Sequence, residues 1–152
     1  MPSAWRIVKK KHAGHAFNGD GARLFGGRWT SIGRRTVYVS STVALATLEM
    51  AVHLDSMSPL PSYSLFKVEF PAELVTTLDL GSLPANWMEF PAPIALAALG
   101  DEWLDTERSA VLKVPSAVVG VEFNYLLNPS HADFALIRVG SEQPYRIDPR
   151  LA

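Results

Sequence analysis

One acidic residue stands alone in an otherwise apolar stretch. Residues 43–54 read Val-Ala-Leu-Ala-Thr-Leu-Glu-Met-Ala-Val-His-Leu, and Glu49 is the only carboxylate among them. The stretch has helical length and is apolar nearly all the way round, so it is expected to be buried on most sides. A carboxylate in such a setting costs several kcal/mol, roughly, unless it is paired or hydrogen-bonded. His53, one turn later on the same face, is an available partner. Two readings stand open: a structural Glu–His or Glu–Arg pair, or a carboxylate of the desolvated kind that active sites use.

A second concentration of chemistry lies in Gly26-Gly27-Arg28-Trp29. Two glycines let the backbone turn tightly or approach a ligand closely. The planar guanidinium of Arg28 can grip a phosphate or carboxylate with two parallel hydrogen bonds, or close a loop by binding carbonyls. Trp29 can pack over the loop or stack on a ring. Tyr38 sits in a β segment that runs into the Glu49 helix and suits either a core or an aromatic platform. Ser116 after Pro115 and Asn128 before Pro129 are polar residues at strand ends, where turn chemistry also places them.

Around these residues the elements follow from pattern and punctuation. Ala4 to Val8 reads as a first strand, and a loop from Ala13 to Gly33 carries six of the ten glycines. Val37 to Val39 is a compact strand, and Ser40, Ser41 or Thr42 can cap a helix over Thr42 to Leu54. Strands are expected at Tyr63–Phe70, Glu73–Leu80, Ala110–Val114 and Phe134–Val139, with Ala117–Val121 as an extension of the third. Residues 83–93 are irregular and proline-punctuated, and Ile94 to Leu104 forms a second helix. Strands outnumber helices without alternating with them, which predicts an α+β fold with a mixed or mostly antiparallel sheet in a single domain over 1–152.

Composition narrows the function. The 152 residues are 48% hydrophobic and 19% charged, with a net charge of −1. Such a chain has no general pull toward nucleic acid or anionic membrane, and the run Lys9-Lys10-Lys11 reads as a solvated strand end. The absence of cysteine excludes disulfides, thiolate metal sites and cysteine nucleophiles. Neither a signal-peptide pattern nor an apolar run of roughly 18 residues is found, so a soluble, cytoplasmic protein is expected. The Gly-rich loop lacks the Gly-Lys-Ser/Thr of a phosphate-binding P-loop, and Leu24 stands where a dinucleotide fingerprint needs its third glycine. His12 and His15 lack a third ligand nearby, and no metal site is expected. No Gly-x-Ser-x-Gly elbow is present.

Together these pieces resemble the RES domain, named for its arginine, glutamate and serine. The matching segments are Trp5-Arg6-Ile7, Gly27-Arg28-Trp29, Val37-Tyr38-Val39, Ala46-Thr47-Leu48-Glu49 with Val52-His53-Leu54, Val114-Pro115-Ser116-Ala117, and Asn124-Tyr125-Leu126-Leu127-Asn128-Pro129 with His131. They cover nearly the whole chain in order. Thr30 departs from the pattern, where asparagine or histidine is expected after Arg-Trp.

The resemblance implies an ADP-ribosyltransferase-like fold and a bacterial toxin of a toxin–antitoxin pair. Such toxins deplete NAD by breaking its nicotinamide–ribose bond, with water or inorganic phosphate as acceptor. The alternatives are transfer of ADP-ribose to a protein, or a non-catalytic module that binds a nucleotide or a protein. NAD is then the substrate, with no cofactor beyond a phosphate co-substrate. The implied partner is an Xre-type helix-turn-helix antitoxin, through which alone the toxin would meet DNA. By the same analogy Glu49 serves the ribose, Arg28 positions phosphate or ribose, and Tyr38 stacks on nicotinamide. Arg6, Ser116 and Asn128 complete the substrate pocket. Cleavage of an N-glycosidic bond passes through an oxocarbenium-like state, which a fixed carboxylate stabilises. Nicotinamide leaves as a neutral group, so a single acidic residue suffices.

Overall fold

The computed structural model describes residues 1–54 and 60–152. Its centre is one mixed sheet. Strand β1 (Ser3–Lys9) runs antiparallel to β3 (Tyr63–Glu69) along its whole length, from Ser3 opposite Glu69 to Lys9 opposite Tyr63. On its other side β1 meets β2 (Val37–Ser40) at the single pair Trp5–Ser40. Strand β2 pairs with β6 (Phe123–Leu127), β6 with β5 (Val111–Pro115), and β5 in parallel with the short β4 (Val75–Thr77). Two short strands near the C-terminus, β7 (Arg138–Val139) and β8 (Gln143–Tyr145), both pair with β3. The fold is α+β with a mixed, mostly antiparallel sheet, as the element pattern predicts.

Alternation along the strands assigns each side chain to a face. One face carries Ala4, Val37, Val39, Val68, Val111 and Leu127, covered by Phe70, Leu74 and Ile137. The opposite face receives two helices. Helix α2 (Val43–Ala51) sets Ala46 against Ile7, Tyr63 and Leu65 over β1 and β3. Helix α3 (Ile94–Thr106) sets Leu96, Trp103 and Leu104 against Leu112, Val114 and Leu126 over β5 and β6. The strip between the two helices lies over β2 and β6, and the polar pair Ser40–Asn124 belongs to it.

Helix α2 starts where its sequence says it should: Thr42 is extended, and its hydroxyl accepts the Leu45 amide at 3.0 Å. Its burial is one-sided, contrary to expectation. Leu45, Ala46 and Thr47 are buried, whereas Leu48 is 38% and Val52 is 59% exposed. The helix lies on the sheet rather than inside the protein, and the apolar residues of its outer flank have nothing above them among the described residues.

Other departures have local causes. The glycine-rich loop contains a 3-10 turn over Lys10–His15 and helix α1 (Asp20–Phe25). Asn18 Oδ1 accepts the Asp20 amide at 2.9 Å, and Gly19 adopts φ 79° at the helix start, so a helix forms despite Gly21. Residues 117–121 form a turn and not a strand extension. The strand expected over Glu73–Leu80 is reduced to β4. The strand expected over Phe134–Val139 is reduced to β7, because its first half belongs to a 3-10 turn (Ala132–Leu136) started by His131, whose ring accepts the Asp133 amide.

Candidate functional site

Glu49 projects from α2 toward the β5–β6 end of the strip. Its partners are neither His53 nor an arginine. Ser116 Oγ donates to Glu49 Oε2 at 2.8 Å, and Asn124 Nδ2 donates to the same oxygen. His53 is exposed, with its ring 6.2 Å from that of Phe90. Among the described residues no donor is placed on Oε1.

Ser116 is fully buried, and its hydroxyl is committed. The amides of Val118 and Val119 donate to Ser116 Oγ at 3.1 and 3.0 Å. A hydroxyl has one proton and two lone pairs, so with both lone pairs used the proton can only go to Glu49. The turn that breaks the expected strand extension is therefore the device that aims the serine.

The loop bearing Arg28 is fixed from both sides. Tyr38, on β2, lies under Gly27; a Cβ at 27 would sit 2.4 Å from the Tyr38 hydroxyl. That hydroxyl is 2.6 Å from Thr30 Oγ1, with the backbone of Trp29 and Thr30 alongside. Thr30, the residue that departs from the family pattern, is thus the fully enclosed partner of Tyr38. Burial pushes the phenol up to about 12, against the smaller opposing effect of these hydrogen bonds. Trp29 is 3% exposed and packs with Leu96 and Trp103, so it is a core residue and not a stacking surface. On the other side, a Cβ at Gly100 of α3 would fall 1.6 Å from the Trp29 carbonyl oxygen. Asp101 takes the Ser31 amide and hydroxyl at 3.0 and 2.6 Å, and Asp105 pairs with Arg34 at 2.6 Å.

Arg28 itself is half-buried. Its Nη1 donates to the carbonyls of Trp87 and Glu89, both at 2.9 Å, strapping down the irregular 83–93 segment. Desolvation lowers its pKa, and the negative charge of Glu49 opposes that shift, so the two groups sense each other across the strip.

Two further expected site residues lie apart from this group. Arg6 alternates onto the face opposite α2. Its Nε donates to Ala16 O at 2.7 Å and Nη1 to Tyr38 O at 2.9 Å, bridging the place where β1 and β2 cease to pair. Burial lowers its pKa to about 10, so it remains a cation at neutral pH. Asn128 follows the far end of β6, beside Ala110, where its Oδ1 accepts the Ser130 amide at 3.0 Å. With Arg23, Arg34 and Arg35 it lines a separate hollow of about 400 Å³. The structure therefore brings Glu49 and Ser116 into contact, joins Arg28 and Tyr38 through one loop, and leaves Asn128 elsewhere.

Comparison with known proteins adds a family to this geometry. The RES domain model matches residues 3–148. The chain belongs to the RES domain family. Among RES relatives it is 39% identical over 149 residues to a protein named Toxin Res from Yersinia enterocolitica, covering 97% of each chain. It is 37% identical over 155 residues to the Prs ADP-ribosylating toxin of a Sphingobium strain, covering 98% of this chain and 96% of that one. The fold is that of a chain in the Mycobacterium tuberculosis MbcT–MbcA toxin–antitoxin complex, with a TM-score of 0.77 over 98% of this chain and 85% of the other, at 16% identity.

Ser40 and Asn124 were not singled out by sequence reasoning. Ser40 reads as one of three rival helix caps, and the cap is Thr42. Asn124 lies within the RES-like motif but in a segment without a strand assignment. Recognising β6 as the partner of β2 would have set it opposite Ser40 and below the Glu49 helix.

Proposed function

We propose that this protein is the toxin of a toxin–antitoxin pair and that it consumes NAD by breaking the nicotinamide–ribose bond. The observation that carries the reading is the Glu49 carboxylate, tied down through one oxygen by Ser116 and Asn124 with no described donor on the other. A carboxylate so held is preorganised: it can accept a ribose hydroxyl and face the positive charge that develops on the sugar without first reorganising. Arg28 supplies the opposite sign for the pyrophosphate, exchanging carbonyl contacts for phosphate oxygens. Tyr38 stays a neutral phenol at physiological pH and forms part of the floor near Arg28.

The bond that breaks is the ribose C1–nitrogen bond, whose electron pair leaves with nicotinamide. Water as acceptor yields ADP-ribose and a proton, and inorganic phosphate as acceptor yields the 1-phosphate of ADP-ribose. NAD is the substrate in this reading, and no further cofactor is required. A second reading is transfer of ADP-ribose to a protein side chain, favoured by the relative named an ADP-ribosylating toxin.

An antitoxin partner accords with Phe25, Ile32, Phe90, Ile94 and Val121, large apolar side chains that are exposed on the isolated chain. In this reading that partner is an Xre-type helix-turn-helix protein that carries the DNA binding, a reading that the family resemblance supports. The test is direct. Purified protein freed of any partner is incubated with NAD, alone, with phosphate, or with cell extract, and nicotinamide and labelled protein are measured. Nicotinamide release is expected. Its absence under all three conditions rejects both enzymatic readings, and label appearing in protein selects the second.

A further inference from the structure

A glutamate side chain has three rotatable bonds, and one hydrogen bond to Ser116 leaves its carboxylate free to swing about that contact. A second restraint comes from β6. Asn124 stands opposite Ser40 in the β2–β6 ladder, and both side chains lie on the face that carries α2. Ser40 is buried, and its hydroxyl donates to Asn124 Oδ1 at 2.7 Å. An amide has one acceptor end and one donor end. With Oδ1 engaged by a buried hydroxyl, Nδ2 is turned to Glu49, where it meets Oε2.

We propose that Asn124, oriented by Ser40, is a positioning residue for Glu49: together with Ser116 it saturates Oε2 and keeps Oε1 available to the substrate ribose. The inference rests on the NAD reading for its chemical meaning and on the hydrogen-bond chain for its geometry. Two donors converging on one oxygen, one from the turn after β5 and one from β6, restrain the carboxylate from two directions. Misplacement by about an ångström is enough to cost a large factor in rate even when substrate still binds. Asn124 acts through Glu49, so its effect should fall on kcat and not on KM.

Three variants test this. Asn124→Ala is expected to lower kcat for nicotinamide release by roughly 10- to 100-fold with KM within about twofold of wild type. Ser40→Ala leaves the amide free to flip and should lower kcat less, by roughly threefold to tenfold. Asn124→Asp keeps the volume and reverses the chemistry, since it sets an acceptor against Glu49. At about pH 8 it should be worse than Asn124→Ala. It should recover toward wild type as the pH falls to about 5, because two carboxylates in one site share a proton and the shared proton restores a donor. Among the described residues the charge coupled to Glu49 is that of Arg28, and His53, exposed one turn along the same stretch, is a titratable neighbour, so His53→Gln serves as the background control for the pH series. A residue that merely filled space would tolerate Asp better than Ala and show no such recovery.

Nitrogen–proton correlation spectra provide a readout independent of turnover. The Asn124 side-chain amide should show a proton shifted downfield by its bond to a carboxylate, and that shift should diminish in Glu49→Gln. Should wild-type protein release no nicotinamide, the functional reading fails while the spectra still judge the geometry. Full activity in Asn124→Ala, or a raised KM with unchanged kcat, overturns the inference. If Asn124→Ala does not fold, Ser40→Ala and Asn124→Asp decide it by the same criteria.

Discussion

Glu49→Gln separates a chemical role from a structural one, because the structure fixes what the substitution removes. A glutamine carbonyl at the Oε2 position still accepts from Ser116 and Asn124, so neither donor is orphaned. Each bond changes from a charged to a neutral acceptor, a difference of about 1 kcal/mol. Two bonds give a loss of about 2 kcal/mol, partly offset because a half-buried charge no longer needs solvation. For a chain of this size, Tm should fall by less than about 8 °C. The rate should behave differently. Losing the charge that faces an oxocarbenium-like state should lower kcat by roughly 100-fold or more, about 2.7 kcal/mol on the barrier. Glu49→Ala is the contrast, since it strands the Ser116 hydroxyl and the Asn124 amide at about 1–3 kcal/mol each. Thermal melting and single-turnover nicotinamide release would be measured on the same samples. A glutamine variant that melts far below wild type yet turns over at full rate would refute the catalytic assignment.

Three other outcomes follow from the geometry. Gly100→Ala should destabilise the protein by about 3 kcal/mol or more, because the new methyl collides with the Trp29 carbonyl and not with a flexible side chain; a melting curve within a degree or so of wild type would contradict the packing. Arg28→Lys should raise KM for NAD by roughly tenfold with a smaller change in kcat, since an ammonium cannot present the planar fork, and steady-state kinetics would read the split. Tyr38 should ionise only near pH 12. Its folded pKa lies above its ordinary value of 10.0, so its contribution to stability is intact below pH 10 and is lost as pH rises to about 12, a loss of about 3 kcal/mol. Tyrosinate absorbance of wild type and Tyr38→Phe would check this, and the idea fails if the variant retains the late-titrating component.

Much of the fold was legible because hydrophobic pattern reports burial directly. The strands at 63–69 and 111–115 and the helices at 43–51 and 94–106 all declare themselves by apolar residues at the right period. What stayed hidden was set by side chains talking to nearby backbone. Asn18 starts α1 in a segment that composition marks as loop, and Ser116 folds 116–119 into a turn where β-branched residues suggest a strand. The site divides along the same line. Glu49, Arg28 and Tyr38 stand out as residue types that need explaining where they lie in sequence. Asn124, the second partner of Glu49 beside Ser116, does not, because sequence proximity favours His53 while the sheet delivers Asn124 from 75 residues away. Asn124 becomes visible only once the register between β2 and β6 is known.

The two missing methyl groups at Gly27 and Gly100 have a mechanical consequence. Between them the backbone of residues 27–30 is gripped by the Tyr38 ring on one side and by α3 on the other, with no compressible side chain interposed. Close packing of that kind leaves little room for one side to shift without the other. The backbone that carries Arg28 is therefore packed directly against a thirteen-residue helix, so a restraint on the one is expected to reach the other. A ligand that immobilises Arg28 should slow hydrogen exchange at amides in the middle of α3, far from any atom the ligand touches, while leaving the outer turn of α1 unchanged.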